Sequence, residues 1–489
     1  MNRRDALRTG ATLVAGFALG GRARAADGRR PKRVIVAGAG IAGLSCAYEL
    51  MERGHDVTVL EASRRAGGHV KTIRDPLPDG LYADVGAENI PGRPAYAIVW
   101  DYIDKFRLKP LVWPRHHNLH RKLGDRWVNE AEVFSDRSQL LGLGFTAREA
   151  DYVLQHGMSE LPLLFFGKYL DKFGDENRPL GIGLDDLDRL LPADLAAREG
   201  ASDAAIRFAR LGRRATAAKA VGTAAGDTSA LYRLWIMAII RNRGLRQQPR
   251  EVYHLEGGNQ TLTDALASRL GARIRRHCPV RSIRHDAAGV TVRCEEAGAM
   301  RDFTADHLVL AMAPGNMAAL DVTPGWPAGK KAALASVPMG MQSRVLLQTS
   351  TAFWRGDIPS INLLTGDSRM GSVCETATEV PGERRLLFGS GQPVQTPEQT
   401  IEAFRKFYPG KARDTIEQCI VHQWWKEEPT CVGCEREPWP PGRIAEVWPH
   451  LIEPVGRVHF AGAAFDSLWR GLEAATRSAH RAAKLIDTA

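Results

Sequence analysis

The chain reads as an α/β protein built on a parallel sheet, and two observations carry that reading. One is the stretch from Arg33 to Gly68, where a short apolar run, a glycine turn, a helical pattern and a second apolar run follow in order. The other is a pair of distant apolar runs, Leu308 to Ala311 before Pro314 and Val458 to Ala461 before Gly462. Short apolar runs closed by glycine or proline suit strands covered on both faces.

In the first stretch Val34-Ile35-Val36-Ala37 forms the opening strand. Gly38-Ala39-Gly40-Ile41-Ala42-Gly43 follows, and Ile41, Leu44, Tyr48 and Met51 recur at helical spacing until Gly54. Val57, Val59 and Leu60 make the second strand, closed by Glu61, 23 residues after Gly38. Gly38 permits the tight turn, Gly40 lets a pyrophosphate approach the backbone, and Gly43 lets the helix pack close to the sheet. The free N–H groups of the first helical turn, with Ile41 and Ala42, face the phosphates. Glu61 accepts hydrogen bonds from ribose hydroxyls. The unit is a Rossmann-like dinucleotide site, suited to NAD or FAD.

The residues after Glu61 separate the two. Glu61-Ala62, Arg65 and Gly67-Gly68 give the pattern EAxxRxGG, which resembles the FAD-binding fingerprint of the flavin-containing amine oxidase superfamily. That superfamily includes monoamine, polyamine and L-amino-acid oxidases. The resemblance continues in Asp84-Val85-Gly86-Ala87, whose family counterpart passes beside the flavin ring. It continues again from Glu256-Gly257-Gly258 to Pro314, where the backbone of Val280 would hold the adenine. It closes with HFAGAA and WRGLEAATRSAHRAA, in which Gly462, Ala463, Gly471, Leu472 and Glu473 match the helix start that faces the flavin pyrimidine.

The resemblance implies an FAD-binding domain assembled from residues 33–90, 251–322 and 440–489. An α+β substrate-binding domain, 91–250 and 323–439, is inserted into it. It implies oxidation of an amine to an imine, hydrolysis to a carbonyl product, and transfer of electrons to oxygen to give hydrogen peroxide. A small amine or amino acid is the expected substrate, with oxygen or another acceptor as second partner. An L-amino-acid oxidase and a flavin dehydrogenase or desaturase using another acceptor are the alternatives, followed by a non-catalytic flavoprotein. The resemblance leaves room for a homodimer.

The sequence departs from the family pattern at four places. His69 stands where GGR has its arginine, near the phosphates. Arg344 takes the place of a lysine that assists oxygen reduction; arginine keeps the charge but does not deprotonate, and a structural ion pair is the other reading. Asn89 stands where venom-type L-amino-acid oxidases carry an arginine for the substrate carboxylate, and Glu88 either attracts an ammonium group or is structural. Cys434 aligns with the cysteine that bonds flavin in monoamine oxidases, with Glu435 in place of a cage tyrosine. Covalent flavin through Cys434, a free thiol and a Cys431–Cys434 disulfide all stay open. Trp424, Trp425 and, best placed, Trp469 are candidate pocket walls.

Composition sets the remaining bounds. The 489 residues allow two or three domains. The formal charge is +10, and without residues 1–25 it is about +6, spread along the chain. Basic segments near Arg210 and Arg241 lack aromatic interleaving, so no nucleic-acid partner is expected. Arg3-Arg4, the apolar run Ala11 to Leu19 and Ala23-Arg24-Ala25 resemble a twin-arginine signal over residues 1–25, which predicts folded export to the periplasm or medium. The seven cysteines form no even framework, and Cys431-Val432-Gly433-Cys434 lacks the second pair a zinc site needs, so no metal is expected.

Overall fold

The computed structural model describes residues 30–93, 95–123, 126–212, 228–247, 251–355, 361–365, 367–408, 415–428, 430–433, 435–468 and 471–489. The expected signal segment lies outside them. Among the described residues no helix is long and apolar enough to cross a membrane.

Five parallel strands organise the molecule: β1 (Arg33–Ala37), β2 (Asp56–Leu60), β3 (Ile274–Arg275), β4 (His307–Leu310) and β5 (Val458–Phe460). Their order is β3-β2-β1-β4-β5. Alternation along β1 explains why a sheet here needs cover on both faces. Val34 and Val36 enter one apolar cluster with Leu44 and Leu50, while Ile35 and Ala37 enter another with Leu308 and Leu310. Helix α1 (Ile41–Glu52) and helix α2 (Gly471–Thr488) pack on the first face, where Ala475, Ala479 and Ala483 keep the helices close. Both helices therefore begin at the same end of the sheet, beyond the carboxyl ends of β1 and β5.

The stretch leading into the Leu308 run divides into two strands. Ala299–Ala305 hairpins with Val290–Glu296, and β4 starts at His307 in the parallel sheet. Asp306 makes the break, its Oδ2 accepting the Arg33 N–H at 2.8 Å. At this end of the sheet His307 Nδ1 lies 3.2 Å from His459 Nε2, and both rings are buried. Burial, helped by Arg457 at His307 and by His307 itself at His459, pushes each to about 4.

A seven-stranded sheet forms a second layer and includes Ser343–Thr349, Arg385–Gly391 and Ser372–Thr376. A three-stranded sheet pairs Val252–Leu255 with Ile90–Pro91 and with Pro110–Trp113. It joins residues on both sides of the expected boundary at 90. The apolar runs at Leu161 and Leu231 form helices Leu161–Leu170 and Ala230–Asn242, and Ser202 caps Asp203–Phe208 by accepting the Ala205 N–H at 3.0 Å.

Candidate active site

The glycine turn leaves no room for side chains where sheet and helix meet. Gly38 has φ +109, and a Cβ there would lie 2.4 Å from the Ala311 carbonyl oxygen. A Cβ on Gly43 would lie 1.9 Å from the Gly38 oxygen. Gly40 instead faces open space, its nearest neighbour being Gly68 Cα at 3.9 Å. That open backbone beside the start of α1 is the shape a phosphate needs. Glu61 is locked just below it: Oε2 accepts the Ala39 N–H at 2.6 Å and Oε1 the Ser63 N–H at 2.8 Å. Oε1 also has the Ser63 hydroxyl at 2.8 Å, so it is Oε2 that keeps a lone pair for a ligand hydroxyl.

A cavity of about 1760 Å³ runs from this turn across the molecule. Typical small-ligand sites hold roughly 300–1,000 Å³, so there is room for an extended dinucleotide and a substrate. Gly38, Gly40, Ile41 and Ala42 line one end with Glu61, Ala62 and Arg65. Gly68, His69, Gly86 and Ala87 form the middle, with Val280 on one side. Gly462, Ala463, Gly471 and Leu472 bring in the start of α2. Glu88, Asn89 and Arg344 line the far part.

Four expectations need correction or narrowing. Gly43 packs helix against sheet as expected, but Gly67 does not line the cavity; a Cβ there would meet Arg65 Nη1 at 2.7 Å and Thr263 Oγ1 at 3.0 Å. Arg65 lines the cavity, but its guanidinium braces the loop, donating to the carbonyls of Ala66, Gly68 and Val70 at 3.1, 2.5 and 2.9 Å. Glu473 turns away: its carboxylate accepts the Ile98 and Val99 N–H groups at 3.3 and 3.1 Å and caps helix Ala97–Phe106. Burial raises that carboxyl to about 7, against the pull of those two donors. Trp425 packs against the apolar cluster that holds Trp424 and does not line the cavity, whereas Trp424 lines it and donates to the Val85 carbonyl at 3.1 Å. Cys434, Trp469 and the Glu435 side chain lie outside the described residues. Cys431 bonds the Gly433 carbonyl through Sγ at 3.1 Å.

His69 is fixed by the crossing of two loops. Its carbonyl accepts the Ala87 N–H at 3.2 Å, and a Cβ on Gly86 would sit 1.7 Å from that oxygen. Its ring lies 4.4 Å from that of Trp424. Burial, and then the positive charge of Arg344, hold it near 4, so it is neutral. Its Nε2 is buried with no protein partner among the described residues. A polar group of a bound ligand would satisfy that atom, and with the open Gly40 backbone and Glu61 it gives a donor and acceptor set that fits a flavin dinucleotide.

Glu88 is the charged centre of the far part. Arg344 Nη2 donates to its Oε2 at 3.1 Å, and Arg115 Nη1 lies 3.4 Å from Oε1. Burial favours the protonated acid, but Arg344 and Arg115 outweigh it and hold the pKa below the usual carboxylate value. Arg115 also donates to Asn89 Oδ1 at 2.9 Å. Sequence reasoning missed Arg115. It follows strand Pro110–Trp113, and only pairing of that strand with Val252–Leu255, which also pairs with Ile90–Pro91, brings it to Asn89. No local spacing signals that.

A sequence model of one family, described as flavin-containing amine oxidoreductase, matches residues 41–487. The chain belongs to this family. It is a flavin-dependent, amine-oxidase-like oxidoreductase. An L-amino-acid oxidase of Siganus canaliculatus is 25% identical over 478 residues, covering 93% of this chain and 85% of the relative. An L-glutamate oxidase precursor of Streptomyces viridosporus is 29% identical over 380 residues, covering 67% of this chain and 55% of the relative. Among solved structures, cyclohexylamine oxidase from Brevibacterium oxydans superposes with a TM-score of 0.73 at 22% identity, over 94% of this chain and 99% of that one. An engineered putrescine oxidase gives 0.75 at 19%, with coverage of 94% and 99%. These likenesses establish the shared fold of the flavin-containing amine oxidoreductase.

Proposed function

We propose that the protein binds FAD and oxidises the C–N bond of a small amine to an imine, which water hydrolyses to a carbonyl product. Bound FAD would accept the hydride equivalent from the substrate carbon and pass the electrons to oxygen, giving hydrogen peroxide. The carrying observation is the single cavity that joins the Gly40 and Glu61 end to the Glu88 and Arg344 end.

The residues of this chain have separate tasks in that reading. The N–H groups at the start of α1 and the open Gly40 backbone hold the pyrophosphate, and Glu61 holds the ribose. Val280 flanks the adenine. The start of α2, which lines the cavity at Gly471 and Leu472, would offer its positive dipole end to the flavin and stabilise negative charge on the reduced ring. Trp424 and the neutral His69 exclude water beside the ring without adding charge. Residues 33–90, 251–322 and 440–489 would form the FAD-binding domain, and 91–250 with 323–439 the substrate-binding domain. Export of the folded protein by the twin-arginine route belongs to the same proposal. It is tested by the periplasmic fraction of a tagged chain carrying Arg3→Lys and Arg4→Lys, which should fall sharply against wild type.

The FAD-loaded enzyme should bleach anaerobically with an amine or amino acid and, in air, yield one peroxide per imine. Bleaching with none would sink the reading. A second reading, a dehydrogenase with another acceptor, is favoured by Arg344: it is paired with Glu88 and cannot deprotonate. Rapid bleaching, slow reoxidation by oxygen and fast turnover with an artificial acceptor would select it.

A further inference from the structure

The charge balance around Glu88 narrows the substrate class, on the amine-oxidation reading above. One carboxylate faces two guanidinium groups: Arg115 at 3.4 Å and Arg344 at 3.1 Å. The three side chains are only 12–14% exposed. The cluster therefore carries one positive charge in excess, where bulk water cannot solvate it fully. Such a charge is costly unless a counter-ion arrives.

The rest of the wall does not provide that counter-ion among the described residues. Glu428 is engaged by Lys71 at 3.4 Å and Arg65 at 3.8 Å, and Glu251 accepts the Tyr253 hydroxyl at 2.9 Å. His69 next to the cluster is neutral and cannot relieve or add charge at ordinary pH.

Arg115 is also built to receive a planar anion. Among the described residues only its Nη1 has acceptors, Glu88 and Asn89, which leaves Nε and Nη2 as donors. The guanidinium lies over the Trp113 ring at 4.7 Å and 6.0 Å from that of Phe388, so its plane is held before any ligand enters. A fixed fork of N–H groups matches a carboxylate better than any neutral group. Glu88, consumed by two arginines, has little left for a substrate ammonium group.

We propose that Arg115, supported by Arg344, binds the carboxylate of the substrate, and that the substrates are amino acids rather than plain monoamines or diamines. Arg115 then does from the Pro110–Trp113 strand what an arginine at position 89 would do from the neighbouring loop.

The test uses the full FAD-loaded enzyme and matched pairs: the common L- and D-amino acids against their decarboxylated amines, with anaerobic flavin bleaching as readout. At least one amino acid should bleach the flavin about 100-fold faster than its amine at equal concentration. Benzoate, an unreactive carboxylate, should perturb the flavin absorbance on binding. Arg115→Met should weaken benzoate and raise the amino-acid KM by about 10- to 100-fold, the loss expected for charge-assisted hydrogen bonds. Arg115→Lys, which keeps the charge and secures the test if the methionine variant fails to load FAD, should lose about tenfold. Bleaching by amines as fast as by amino acids, or unchanged benzoate binding in both variants, overturns the proposal and leaves amine oxidation standing. Bleaching by no member of any pair overturns both.

Discussion

Glu88→Gln isolates the charge argument without changing shape. The amide keeps one acceptor oxygen but removes the only anion within 3.4 Å of Arg115 and Arg344 among the described residues. Removing one partner of a buried ion pair costs about 3–5 kcal/mol, and the retained acceptor brings this to about 2–4. At about 2–4 °C per kcal/mol the melting temperature should fall on the order of 5–15 °C, with its midpoint serving as the measure because a chain of this size need not unfold in two states. Fluorimetry on the FAD-loaded protein at pH 7.5 measures it. Benzoate should restore much of the loss, since a ligand at 100 times its Kd adds about 2.7 kcal/mol. The arginines depress the Glu88 pKa in the fold, so its contribution is complete above the unfolded value of 4.5 and disappears as pH falls through the lower folded value. The gap between wild type and variant should therefore close in acid. A shift below about 2 °C at pH 7.5, or no recovery with benzoate, would refute the cluster as a buried, cation-rich site.

Other expectations follow from single contacts. Gly38→Ala should abolish flavin loading, read as visible absorbance per protein, because its Cβ would sit 2.4 Å from Ala311 O at φ +109; a normal yellow protein would contradict the turn. His459, held near 4 against an ordinary 6.5, favours folding above 6.5 and loses that contribution as pH falls toward 4. His459→Asn should thus lose less melting temperature than wild type between pH 7 and pH 4; comparing variants matters because burial raises Asp84 and Glu473 to about 7, which titrate in the opposite sense. Covalent flavin through Cys434 predicts a yellow pellet after acid precipitation, and a colourless pellet with all the flavin in the supernatant rules it out.

The glycine turn was legible because its spacing is local, with Gly43 facing the Gly38 carbonyl within the same turn, although Gly38 itself meets the carbonyl of the distant Ala311. The buried strands were legible from their apolar runs, though the break at Asp306 was not, because it depends on a hydrogen bond to Arg33, 273 residues away. Glu473 sits in the closing motif as expected, but its direction is set by helix Ala97–Phe106, which no spacing in that motif encodes. Arg115 stayed hidden for the same reason: its role is created by strand pairing.

The order of strands in the parallel sheet has a consequence for assembly. β1 and β2 lie within residues 33–60, yet the neighbouring β5 and the helix α2 lie within residues 458–488. The cavity wall at Gly462 and Gly471 thus closes only when this segment docks beside β4. A ribosome-bound chain short of Val458 has the glycine turn but lacks the opposite side of the cavity. Closure of the cavity is thereby tied to docking of that segment, and the long sequence separation between neighbouring strands favours slow, late closure of the sheet.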